Sequence, residues 1–349
     1  QGKFETDVAT LEGKLDMDES GLRRSALADA VIGALMPHVA EEFAARHGKV
    51  AGGALAVVAL GKLGGREMLP GSDLDLILVY DHDPKAEMSS GRARKGAAPL
   101  RPLPVSQYFI RLAHQVVAAI TAPGGEGHLY EVDMRLRPSG SKGPVAVALS
   151  SFRRYHAESA WTWERMALTR ARVVCGPPAL ARKLGQAIRA ALTRPADAAT
   201  ALKDAASMRA RMLREIPGDG PWDAKWRPGG LIEVEFIAQA LQLANAHRKP
   251  EVLAPATRDA LAALARAGVL PQAEAATLIE ADRLWRTING TLRLTAGKWK
   301  DDTLPEPAAE ALLNAMRRAL DDPPGDIEAL RAGMALVAAE TRRIFEARV

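Results

Sequence analysis

The stretch LPGSDLDLILVYD, Leu69 to Asp81, constrains the chain more than any other. It ends as a buried β-strand does, on Ile77, Leu78 and Val79. It begins with two aspartates one residue apart, Asp73 and Asp75. Strands are poor in aspartate, and side chains two apart point to the same face. Two like charges held side by side at the head of a core strand repel unless a cation sits between them.

A second segment raises the same question. HLYEVDMRLRPSG reads as another strand, closed by Pro138 and Gly140, and carries Asp133 in its middle. If the two strands are neighbours, Asp73, Asp75 and Asp133 converge on one sheet edge. That is a hard-oxygen donor set suited to Mg²⁺. Such carboxylates, two Mg²⁺ ions and a nucleoside triphosphate are the usual apparatus for in-line nucleotidyl transfer.

The turn ahead of Asp73 supplies candidate phosphate contacts. ALAVVAL, Ala54 to Leu60, reads as a buried strand, and LGKLGG follows it and opens a short helix. Gly61, Gly64 and Gly65 would let backbone approach phosphate oxygens. Lys62 and Ser72 could donate to a triphosphate. Arg135 and Arg137 share the face of Asp133 by period two, so they too can reach phosphate. The turn is not a Walker A loop, and neither a dinucleotide-binding G-x-G-x-x-G nor an H-E-x-x-H is present. Each piece also has an ordinary reading: a capping aspartate, a tight glycine turn, an Asp133–arginine pair. Their coincidence at one edge favours a joint site.

Around this core the texture changes along the chain. Ala26 to Arg46 reads as an amphipathic helix stopped by Gly48. Asp83 to Pro104 is polar, basic and rich in Gly and Pro, hence a loop. PVSQYFIRLAHQVVAAIT carries a helical stripe of Phe109, Leu112, Val116 and Ile120. GPVAVAL suits one more strand. From about Ser150 only helical periodicity remains, interrupted by Gly/Pro breaks such as GPP at Gly176 to Pro178. The expected organisation is a linker and lead-in helix over 1–50, a catalytic domain over 51–176 and a helical bundle over 177–349.

Composition narrows the classes. With 349 residues, 48% of them hydrophobic, the chain can bury a sizeable core, and its apolar runs are too short to span a bilayer. A single cysteine, Cys175, excludes a disulfide framework and suits a reducing cytoplasm. The net charge of +5 permits an anionic substrate without requiring nucleic acid, and 5% aromatic content disfavours a base-stacking platform. The chain opens on Gln1 and reads as a piece of a longer protein.

The stretch from Leu60 to Asp81, LGKLGGREMLPGSDLDLILVYD, resembles the glycine-rich turn and Asp-x-Asp of the DNA polymerase β nucleotidyltransferase superfamily. Lys62 stands about where that pattern has serine. Four blocks narrow the resemblance: GKLGGREMLPGSDLDL, YEVDMRLRPSGSKGP, AWTWERMALTRARVV and PGGLIEVEFIAQ, in this order, are similar to glutamine synthetase adenylyltransferase. The resemblance covers roughly Ala26 to Thr295. It implies an α+β polymerase β-like nucleotidyltransferase domain with a mixed sheet, followed by an all-α helical bundle. It implies ATP as substrate, Mg²⁺, glutamine synthetase as protein partner and the PII signal protein as regulator. AWTWE and LYEVDMRLRPSG are closer to the adenylylating half of that bifunctional enzyme than to the half that removes AMP by phosphorolysis. Two rival functions stay open: a non-catalytic module binding nucleotide and partner, and RNA nucleotidyl transfer.

AWTWERMALTRARVV is expected to place Trp161, Glu164, Leu168 and Arg172 along one helix, the tryptophans in the core. Arg170 and Arg172 divide evenly between facing nucleotide and facing target. Glu233, on the apolar face of GGLIEVEFIAQ, wants a partner. That partner is either the helix N-terminus at Gly229 and Gly230 or, for Glu233 or Glu235, an arginine of the catalytic domain. The histidines show no metal spacing, and the basic loop Arg92 to Arg101 reads as solvated.

Overall fold

The computed structural model describes residues 1–91, 99–124, 127–195, 197–216, 218, 220–297 and 299–349. Most of the basic Arg92–Arg101 loop falls outside them. The chain is α+β: a small mixed sheet with helices on both faces, continuing into a helical bundle.

Two helices open the chain, α1 (Gly2–Leu11) and α2 (Met17–His47), packed on each other. Helix α2 begins nine residues before the apolar periodicity suggests. The reason is a capping box: Asp16 accepts from the backbone N–H groups of Asp18 and Glu19, and Glu19 reaches back to the Asp16 N–H. Strand β1 (Ala54–Ala59) leads through the single-turn helix α3 (Gly61–Gly64) to β2 (Leu74–Asp81), which pairs antiparallel to it. After α4 (Val105–Thr121) come a two-residue ribbon, β3 (Pro123–Gly124) and β4 (Gly127–His128), then β5 (Val132–Asp133) and β6 (Ala146–Ala148). Both β5 and β6 lie parallel to β2 on its free edge. The first pairs with Leu74 and Asp75, the second with Leu78 to Tyr80. The expected Asp133 strand is thus two residues long, because the chain turns away at Met134 and Arg137, whose backbones are hydrogen-bonded to each other.

Helices α5 (Leu149–Glu158) and α6 (Thr162–Leu168) follow, and then strand β7 (Arg172–Cys175), where helical texture was expected throughout. It pairs antiparallel to β1 and completes the order β5-β2-β1-β7. Arg172 therefore lies on a strand and not on the helix that follows Trp161. The remaining helices are α7 (Pro178–Leu192), α8 (Ala198–Glu215), α9 (Leu231–Asn245), α10 (Thr257–Arg266), α11 (Gln272–Thr295), α12 (Glu306–Ala319) and α13 (Ile327–Arg348).

Period-two alternation sorts the strands between two cores. Leu74, Leu76, Leu78 and Tyr80 of β2 pack under α2 and α4, against Ile32, Phe43 and the predicted stripe Phe109, Leu112, Val116 and Ile120. Ile77 and Val79 face the other way, into a core shared with α5, α7 and the bundle. Asp73 and Asp75 have the parity of Ile77, so the carboxylates belong to the bundle-facing side.

Candidate active site

Asp75 and Asp133 are register partners across the parallel β2–β5 ladder, which puts their side chains on one face. Asp73, just ahead of β2, is exposed, and Asp75 is half-buried. Burial, then the charges of Asp73 and Asp133, push the Asp75 carboxyl up to about 6, against the pull of Lys62 and Arg170. The structure thus brings together the three carboxylates expected from sequence. Among the described residues no three carboxylate, histidine or cysteine side chains already form a metal cage. Asp133 is committed elsewhere: it accepts from Arg135 Nε at 2.8 Å and from the Arg135 backbone N–H at 2.8 Å. Those bonds hold its carboxyl below the usual range. The Arg135 side chain is 81% exposed, so it can swing away at small cost.

The glycine turn packs against this edge. Gly61 has φ +52°, and a Cβ there would collide with Asp75 Oδ2. Gly64 and Gly65 are tight for another reason: a Cβ on either would meet the Arg170 carbonyl oxygen or its guanidinium. Lys62 is paired with Glu235 of α9, Nζ to Oε1 3.3 Å. Ser72 Oγ accepts from the Leu69 N–H at 3.0 Å and braces the turn. Arg137 donates to the carbonyls of Met134, Ser141, Gly143 and Pro144, and so shapes its own loop.

Behind the turn lies a buried charge network that joins sheet and bundle. Glu67 pairs with Arg170 and accepts from Thr257 N–H at 2.6 Å, with Arg286 Nη1 3.4 Å away. Burial opposes its charge, but Arg170 and Arg286 outweigh that and lower its pKa. Glu235 meets Arg170 at 3.2 Å. Burial works against its ionisation too, yet Lys62, then Arg170 and Lys225, hold the carboxyl down to about 2. Glu235 therefore has an arginine partner, Arg170, from outside the helical bundle, one of the two partners the sequence allowed for. Glu233 differs: its Oε2 accepts from the Gly229 N–H at the head of α9, as expected, but its arginines come from the bundle. Arg209 and Arg342 both donate to its Oε1.

Arg172 pairs with Asp29 at 2.8 and 3.0 Å and donates to the Leu63 carbonyl, tying α2 to the turn. Trp161 and Trp163 correct the sequence reading: both are exposed, at 69% and 38%. Glu164 accepts from the Trp161 N–H at 2.9 Å, which makes Trp161 the N-cap of α6 and turns its ring outward. Sequence reasoning missed Glu67, Lys225, Arg286 and Arg293. The available signals were a carboxylate wedged between Gly65 and Met68, and the i, i+4 pair Asp282 and Arg286 on an otherwise apolar helix face.

Residues 2–187 match the family model for glutamate-ammonia ligase adenylyltransferase. The chain belongs to that family. Residues 206–348 match a second model, GlnD PII-uridylyltransferase. A bifunctional glutamine synthetase adenylyltransferase/adenylyl-removing enzyme from Rhodopseudomonas palustris (strain TIE-1) is 41% identical over 96% of this chain and 32% of its own length. The one from Bradyrhizobium diazoefficiens is 42% identical over 97% of this chain and 33% of its own. That from Xanthobacter autotrophicus is 41% identical, with the same coverages, 97% and 33%. The chain thus spans about a third of the length of the curated relatives it matches. Among the described residues, no helix of this family member is long and apolar enough to cross a membrane.

Proposed function

We propose that this chain is the adenylylating part of such an enzyme, transferring AMP from ATP to a tyrosine hydroxyl of glutamine synthetase with release of pyrophosphate. The observation that carries the reading is the Asp75–Asp133 register pair, with Asp73 one step ahead of it and the Gly61–Gly65 turn against it. The acid set fits Mg²⁺. It is all oxygen and all anionic, and burial together with the charges of Asp73 and Asp133 pushes the Asp75 carboxyl up to about 6. Asp73, Asp75 and Asp133 would hold the ion, which when bound supplies positive charge to the phosphoryl oxygens.

The remaining roles fall to the chain's own groups. Asp133, freed from Arg135, can accept the proton of the attacking hydroxyl. Arg135 then becomes available to offset charge building on the transferring group. Lys62 can exchange Glu235 for a phosphate oxygen, and Glu235 keeps Arg170 as its partner. Gly61, which leaves Asp75 room, also leaves backbone open beside it. Gly64, Gly65, Ser72 and Arg137 support these groups by fixing the turn and the loop that carry them.

Assignment to the adenylylating activity rests on the resemblance of AWTWE and LYEVDMRLRPSG to that half. Regulation by the PII signal protein and a cytoplasmic location belong to the same reading. Incubating the chain with α-labelled ATP and unmodified glutamine synthetase tests it: label should appear on the synthetase. Absence of transfer, together with phosphate-dependent release of ADP from modified synthetase, would assign the opposite activity.

A further inference from the structure

A cavity of about 410 Å³ opens between the segment leading into α9 and the C-terminal part of α11. Its size falls within the roughly 300 to 1,000 Å³ common for small-molecule sites. Trp222, Lys225, Trp226, Asn289, Arg293 and Trp299 line it. All six lie in the segment matched by the second family model, and the transfer chemistry proposed above uses none of them.

Three observations point to a ligand. First, the wall is aromatic and amide-bearing. Trp222 and Trp299 spend their indole N–H groups on the carbonyls of Asp302 and Thr303, which fixes both rings. Asn289 Oδ1 accepts from Arg293 Nε at 3.0 Å, while its buried Nδ2 has no partner among the described residues. Second, the cavity carries two cations, Lys225 and Arg293, alongside the carboxylates Glu215 and Asp223. The Lys225 ammonium sits 4.7 Å from the Trp226 ring centroid and has no ion pair among the described residues. Its pKa is lowered by burial, then by the charge of Lys62, with Arg293 adding to the repulsion. Third, the cavity adjoins the carboxylate edge. Arg293 Nη1 donates to the Pro70 carbonyl at 2.9 Å, in the turn that ends on Asp73, and both cations lie within electrostatic reach of Asp73.

Indole faces stack on any nucleobase, an amide can hydrogen-bond a base edge, and paired cations suit phosphate oxygens. We propose that this cavity holds the base and sugar of a nucleoside triphosphate, whose phosphates run out past Lys225 and Arg293 toward Asp73 and Asp75. The assignment rests on the nucleotidyl-transfer reading and locates the base end of its substrate in the bundle rather than in the sheet domain.

Titration calorimetry on the 349-residue chain, with ATP and separately with tripolyphosphate, tests it. Trp226→Ala should weaken ATP roughly tenfold or more, the worth of one lost base stack, and leave tripolyphosphate unchanged. Lys225→Gln should weaken both. If circular dichroism shows Trp226→Ala unfolded, Asn289→Leu replaces it, with the same split expected. Trp226→Ala or Asn289→Leu weakening both ligands equally, or neither, overturns the cavity assignment while nucleotide binding stands. Wild-type chain that binds neither ligand overturns the assignment and the transfer reading together.

Discussion

Asp75 and Asp133 sit opposite one another in a parallel ladder, two carboxylates in register where a strand pair ordinarily places apolar or opposite-charge partners. The arrangement costs stability when both are ionised and is useful only with a cation or proton between them. Asp75→Asn should lower AMP transfer by more than roughly 100-fold, beyond the range of changes that touch a metal ligand only indirectly. The melting temperature at pH 7.5 should hold or rise, because the substitution removes a carboxylate charge that burial, then Asp73 and Asp133, disfavour enough to push its pKa up to about 6. A scan showing lower stability with retained transfer would remove these carboxylates from the chemistry.

Gly61 and Gly71 separate backbone strain from site geometry. Both have positive φ, +52° and +65°, so alanine at either costs about 1–2 kcal/mol. Only at Gly61 does the new Cβ collide with Asp75 Oδ2; at Gly71 nothing lies within 4 Å. Gly61→Ala should therefore lose at least as much stability as Gly71→Ala in urea titrations. Transfer should fall at least tenfold in the first alone, since displaced reacting groups are costly. Equal activities in the two variants would detach Gly61 from the carboxylate edge.

The Glu233–Arg209 pair is fully buried on both sides. Removing one partner strands the other charge in a low-dielectric interior. Glu233→Ala should cost about 3–5 kcal/mol in unfolding free energy. The double change Glu233→Leu with Arg209→Met should recover much of that, since an apolar pair of similar volume often does as well. Chemical denaturation of the two variants side by side checks both statements.

What the sequence disclosed, and what it withheld, follows from how locally each feature is encoded. The carboxylate pair was legible because aspartates at the head of Ile77–Val79 break a strong local preference. The α4 stripe was legible because its four apolar positions repeat at helical spacing. Strand β7 was not: RVVC is four residues long and follows a helix after only a short turn, so the helical pattern of α6 runs visually into it. What makes it a strand is the free edge of β1, a tertiary fact. Trp161 and Trp163 misled for a related reason. Bulk favours burial on average, but the Glu164 cap sets the backbone direction at Trp161 and sends its ring to solvent. The network of Glu67, Arg170, Glu235 and Arg286 joins segments separated by up to 219 residues, Glu67 to Arg286, so no window of sequence displays it.

His156 offers a pH test away from the site. It is buried beneath Phe152, with ring centroids 4.5 Å apart, and neither ring nitrogen has a hydrogen-bond partner among the described residues. Burial, then the nearby Arg165 charge, pull its pKa down to about 4 from an ordinary 6.5. A folded value below the unfolded one means that the unfolded chain takes up the proton first as pH falls. The stability that goes with neutral His156 is therefore complete above about pH 6.5 and drains away between there and about pH 4, on the order of 3 kcal/mol across the window. Other groups titrate in the same range, so the difference between wild type and His156→Leu isolates this one. The unfolding free energy of the variant relative to wild type should rise steadily as pH is lowered from 7 to 4.5. A difference that stays flat over that range would mean that His156 charges as readily in the folded chain as in the unfolded one.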